Sequence, residues 1–111
     1  MRTFDADHPS TCISQANMAL LIARAKWADK LDGAEIMAQA AHNGFEKHFG
    51  VAHPLTHFGT ATLGVVLQAN GKPAEAQCFL EQAYAGVAGK DSGKWVMDLF
   101  QADFEALVVG Q

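Results

Sequence analysis

The sequence predicts an all-α domain, a stack of about five antiparallel helices. Three observations carry this. Between His53 and Ala88, Gly71 and Pro73 separate two runs, Phe58, Leu63, Val66, Leu67, Asn70 and then Ala76, Phe79, Leu80, Ala83, Tyr84, Val87. Each run has the three-and-four spacing of one buried helical face. The block His8-Pro9-Ser10-Thr11 returns as His53-Pro54-Leu55-Thr56, 45 positions later. Half of the 111 residues are apolar and 18% are charged, a composition that folds into a small core and is unlike that of disordered chains.

Taken in order, Met1–Asp7 is polar and without periodicity, so an irregular arm is expected. Pro9 suits a first helical turn, with Ser10 or Thr11 as its cap. Cys12 to Asp32 reads as the first helix, with Ile13, Leu20, Trp27 and Leu31 along one line and Met18, Ala19, Ile22 and Ala25 along the next. Asp32-Gly33 is its expected break. A second helix is expected over about 34–48, turning Ile36, Met37, Ala40, Ala41, Phe45 and Phe49 toward the core, and Gly50 ends it. The hairpin described above follows. Small residues at Gly64, Ala76 and Ala83 sit where two helix backbones approach closely. After the linker at 86–93, Lys94–Val109 reads as a fifth, capping helix carrying Trp95, Met97, Leu99, Phe100, Phe104, Leu107 and Val108.

Aligning the two His-Pro blocks sets Gln15–Ile22 on Thr60–Leu67, large on large and small on small. Ala34, Glu35 and Ala41 match Ala76, Gln77 and Ala83 if the first copy carries three extra residues, close to one helical turn. Lys26 falls where the second copy has Gly71, which agrees with a first helix running on to Asp32-Gly33. The second copy resembles a tetratricopeptide repeat, through Leu63-Gly64, Leu67, Gly71, Ala76, Leu80 and Ala83. The His-Pro-x-Thr opening and the Gly50–Pro54 linker are similar to the long repeats of kinesin light chains. Thr60 stands where the family usually has tryptophan, and Ala88 where it usually has proline. The resemblance implies one domain over 1–111, with repeats at about 8–52 and about 53–93 and a cap at about 94–109, coiled as a right-handed superhelix.

For function, the resemblance implies a scaffold or adaptor whose first helices line a concave groove for a peptide or protein segment. Its groove positions fall on Ile13, Ala16, Asn17, Leu20 and Arg24 of the first copy, and on Phe58, Ala61, Thr62, Val65 and Gln68 of the second. Asn17 stands where many members hydrogen-bond a peptide backbone. The basic slots that clamp a terminal carboxylate in chaperone-binding members hold Ala16 and Leu20 instead.

Other classes are disfavoured by composition. A net charge of −4 provides no basic stripe for phosphates, so no nucleic acid is expected. No apolar run approaches the roughly 18 residues that span a bilayer, and 1–10 has no apolar signal core, so no membrane partner and a cytoplasmic location are expected. Cys12 and Cys78 are too few and too far apart for a disulfide framework or a zinc site. No nucleophilic triad, phosphate loop or nucleotide fingerprint is present, and neither catalysis nor a cofactor is expected. The alternative is a small-ligand or metal-responsive protein using His48, His53 and His57, the last two sharing a helical face. No acid or cysteine joins them at ligand spacing, so no metal is expected. Lastly, a cap as apolar as Lys94–Val109 has more large side chains than one neighbouring hairpin can cover. An oligomer or partner surface at Trp95, Leu99, Phe100 and Phe104, for instance a homodimer, is therefore expected.

Overall fold

A computed structural model of the chain describes residues 9–88 and 91–109. The expected arm at 1–7, His8, and Gly89-Lys90 of the second linker lie outside the described residues, as do the side chains of Leu107 and Val108. All regular elements described are helical: α1 (Pro9–Ala25), α2 (Leu31–Phe49), α3 (Pro54–Ala69), α4 (Pro73–Val87), α5 (Lys94–Leu99) and α6 (Gln101–Val109). Single 3-10 turns at Ala28–Lys30 and Asp91–Gly93 complete the order.

Two hairpins form the body. α1 packs along α2 and α3 along α4, while α3 also meets α2 and α1. This makes α3 the central helix, and its sequence allows it: every residue from Phe58 to Leu67 is apolar, glycine or threonine, and every one is buried. Close approach on two sides depends on missing side chains. A Cβ at Gly59 would lie 2.6 Å from Phe45 of α2, and one at Gly64 would lie 2.7 Å from Leu80 and 3.2 Å from the Ala76 carbonyl of α4. Two of the α3 threonines, Thr56 and Thr60, are satisfied locally. The Thr60 hydroxyl donates to the Thr56 carbonyl, and the Thr56 hydroxyl lies 2.6 Å from the Gly50 carbonyl and 3.3 Å from that of Phe45, tying the α2–α3 turn.

Helix ends correct the sequence reading in two places. The first helix does not run to Asp32-Gly33; it stops at Ala25, and Asp32 and Gly33 lie inside α2. The stop is Lys26, which takes the left-handed conformation with φ 58°. The Trp27 N–H then reaches back to the Ile22 carbonyl and the Lys26 N–H to that of Ala23, the double closure in which glycine is usual. α3 ends identically: Gly71 has φ 81°, the Lys72 N–H bonds the Leu67 carbonyl and the Gly71 N–H that of Gln68. α1 also opens one residue before Ser10, so Ser10 and Thr11 lie within its first turn and not at its cap. Gly50 ends α2 as expected, with φ 84°.

The core repeats at matching places. Ala34, Ala38, Ala41 and Phe45 are buried in α2; 42 positions on, Ala76, Leu80, Ala83 and Val87 are buried in α4. Ile36 is 72% exposed and Tyr84 and Trp27 also face outward, against the expectation that they join the core. Ile36 follows the α2 face opposite Ala34 and Ala38, and Trp27 was displaced when α1 ended early.

The C-terminal segment is not one helix. The backbone at Phe100 leaves helical geometry (φ −110°, ψ 22°) between α5 and α6. The bend lets both halves pack: Val96 and Phe100 are fully buried and Phe104 is 2% exposed. α5 meets α3 and α4, and α6 meets α4. Phe100 and Phe104 are thus covered within the chain, contrary to their expected place on an outer surface, whereas Trp95 and Leu99 remain 44% exposed. A bent segment covers two neighbours where a straight helix covers one.

Candidate interaction groove

The face assigned to a ligand is built from α1 and α3. On α1, Ile13 is half-buried, Ala16 and Leu20 are buried, and Asn17 and Arg24 are exposed. On α3, Phe58, Ala61, Thr62 and Val65 are buried and Gln68 is exposed. Part of this face is covered by the chain's own C-terminal segment, which otherwise packs on α4. The Phe58 ring lies 5.5 Å from Trp95 and 6.0 Å from Phe100. Phe100 continues to Phe104 at 6.1 Å, and Phe104 meets Tyr84 of α4 edge-on at 5.4 Å. Each aromatic pair adds about 0.5–1.5 kcal/mol to the burial of its surface.

Arg24 joins α1 to this segment. Its Nη2 lies 3.0 Å from Asp103 Oδ2 of α6 and donates to the Leu99 carbonyl at 3.4 Å, and its guanidinium carbon sits 5.7 Å above the Phe100 ring centre. One cation thereby contacts a carboxylate, the backbone carbonyl of the last residue of α5, and an aromatic face. The arginine side chain is 41% exposed, so screening by water holds the ion pair to the order of 1 kcal/mol.

Beyond Arg24 the face stays open. A cleft of about 550 Å³ is lined by Ala23, Arg24 and Lys26 from the end of α1, Leu31 from α2, Val65 and Gln68 from α3, and Asp103 from α6. Three expected groove residues, Arg24, Val65 and Gln68, come together here. Ile13, Asn17, Phe58 and Thr62 do not line the cleft. Lys26 and Asp103 were missed by sequence reasoning. Lys26 was placed mid-helix, and nothing local announces that Asp103 meets an arginine 79 positions earlier.

Two of the three candidate histidines, His53 and His57, serve the scaffold. His53 Nδ1 accepts the Leu55 N–H at 3.0 Å as the N-cap of α3, and its ring stacks on Phe49 at 4.5 Å. His57 fills the space beside Gly86 of α4, where any Cβ would collide with its ring. His48 is exposed in the last turn of α2. Among the described residues no three His, Cys, Asp or Glu side chains come together as a metal site. No described helix is long and apolar enough to cross a membrane.

The other polar cluster joins the α3–α4 turn to the start of α2. Lys72 Nζ donates to both Glu35 oxygens at 2.9 and 3.1 Å, and Asn70 Nδ2 donates to Glu35 and to Asp32. The Lys72 and Asn70 hydrogen bonds hold the Glu35 carboxyl below its ordinary pKa, and the Glu35 carboxylate raises that of Lys72.

No protein-family model matches the chain, and neither curated proteins nor solved structures provide a match.

Proposed function

We propose that the chain is a protein-interaction module of the tetratricopeptide type, a scaffold or adaptor with no catalytic step, that receives a peptide or protein segment on the α1–α3 face. The observation that carries this reading is the cleft where Arg24, Val65 and Gln68 meet: two first helices contribute to it side by side, with an apolar floor and exposed polar groups at the rim. The equivalent left-handed ends of α1 and α3 support the repeat alignment on which the groove positions rest. A right-handed superhelical stack and a cytoplasmic location belong to the same reading. Trp95 and Leu99 are the part of the expected association surface left open to a second copy or another partner.

The test compares capture of partners from lysate by the parent chain and by an Asn17→Ala/Gln68→Ala double variant. Both residues are exposed, so folding is expected to be unchanged. Loss of the partners captured by the parent is the expected result. Identical capture by both chains would remove the groove from the account.

A further inference from the structure

The α1–α3 face already holds an occupant, and the occupant's chemistry describes what the face accepts. Phe100, at the break before α6, presses on Phe58, and Asp103, three residues on in the first turn of α6, pairs with Arg24. Along α3, Phe58, Thr62 and Val65 share one stripe; Phe58 meets the C-terminal aromatics and Val65 lines the cleft with Asp103. Between them Thr62 is fully buried, and its hydroxyl has no hydrogen-bond partner among the described residues. A buried unpaired hydroxyl costs about 1–3 kcal/mol. The cleft past Arg24 offers further room, and its rim carries Arg24 and Lys26 against the single acid Asp103.

We infer that the face binds an amphipathic helix carrying an aromatic residue followed three positions later by a carboxylate, and that α5–α6 is a resident copy of this ligand which a partner helix must displace. The aromatic seats against Phe58, and the carboxylate takes the place of Asp103 on Arg24. The break at Phe100 splits the resident into two short helices, which makes it the more easily released part of the chain, since short helices have little stability of their own. The inference rests on the proposal that this face is the binding surface and adds the class of ligand and its competitor.

The probe is a labelled synthetic peptide with the sequence of Lys94–Val109, titrated by fluorescence anisotropy into full-length chains. The Asp103→Lys chain, whose resident helix is repelled by Arg24, is expected to bind the peptide at least about tenfold more tightly than the parent. Adding Arg24→Glu to that chain is expected to abolish the gain. The charge-swapped peptide, with Asp103→Lys, is expected to recover binding to a chain carrying Arg24→Glu. A second measurement uses the unaltered chain: excess peptide is expected to speed amide exchange in Gln101–Val109 while α3 stays protected. Equal affinity of parent and Asp103→Lys chains, no effect of the charge swap, or unchanged exchange in α6 would each overturn the inference. Partners lost with Asn17→Ala/Gln68→Ala in the presence of such a result would leave the groove proposal standing and remove only the resident-helix mechanism.

Discussion

Lys26 and Gly71, 45 positions apart, hold the same left-handed backbone, with φ 58° and 81°, at the ends of the two helices that form the candidate groove. Glycine has no steric penalty there, whereas a side chain costs about 1–2 kcal/mol. Lys26→Gly is therefore expected to stabilise the chain by about 0.5–1 kcal/mol, with part of the gain offset by the greater freedom of glycine in the unfolded state. Gly71→Ala, where no atom lies near the added Cβ, is expected to lose about 1 kcal/mol through conformation alone. Urea denaturation of both variants checks the pair, and equal effects of opposite sign are not required.

Glycines inside helices separate packing from propensity. Gly64→Ala places a methyl against Leu80 and the Ala76 carbonyl and is expected to destabilise by about 1–3 kcal/mol, since the backbone oxygen yields little. Gly33→Ala meets nothing within 4 Å in α2 and is expected to stabilise by about 0.5–1 kcal/mol. Thermal melts of the two variants are expected to shift in opposite directions.

These positions also show how much of the fold was legible. Gly71-Lys72-Pro73 announced the α3–α4 hairpin because glycine and proline act through their own backbone, and Gly64 announced a close approach through its missing side chain. Lys26 gave no such signal: a lysine turns left-handed only because Leu31 and the α2 helix that follows must fold back onto α1. Phe100 and Phe104 were readable as large apolar residues in need of cover. Where that cover lies depended on a helix break at Phe100, and on Arg24 and Asp103 meeting, which no local pattern encodes. The groove residues on α1 and α3 were placed by alignment, while the chain's own C-terminus over them was not.

His53 caps α3 and stacks on Phe49. His53→Ala is expected to cost about 0.5–2 kcal/mol, and His53→Asn, which keeps a side-chain acceptor for the Leu55 N–H, to cost less. A loss of equal size in both variants would assign the effect to the ring stack. Guanidinium denaturation midpoints distinguish the two.

The Glu35–Lys72–Asn70 cluster gives a pH signature. Because the Glu35 pKa is depressed in the folded chain, its contribution is whole above the ordinary value of 4.5 and is lost as pH falls through the lower folded value. Lys72, whose pKa is raised, contributes below its ordinary 10.5 and loses that contribution as pH rises through the higher folded value. Both side chains are partly solvated, so the effects are small and weaken with salt. Glu35→Gln is expected to flatten the acid limb of a stability–pH profile at low ionic strength.

The most direct measurement places a photo-crosslinking amino acid at Gln68, in the cleft, and separately at Ile36, which is exposed on α2 and does not line it. Partners captured by the full-length chain are expected to crosslink from position 68 and not from position 36. Crosslinks from position 36 with none from position 68 would contradict the assignment of the α1–α3 face as the binding surface.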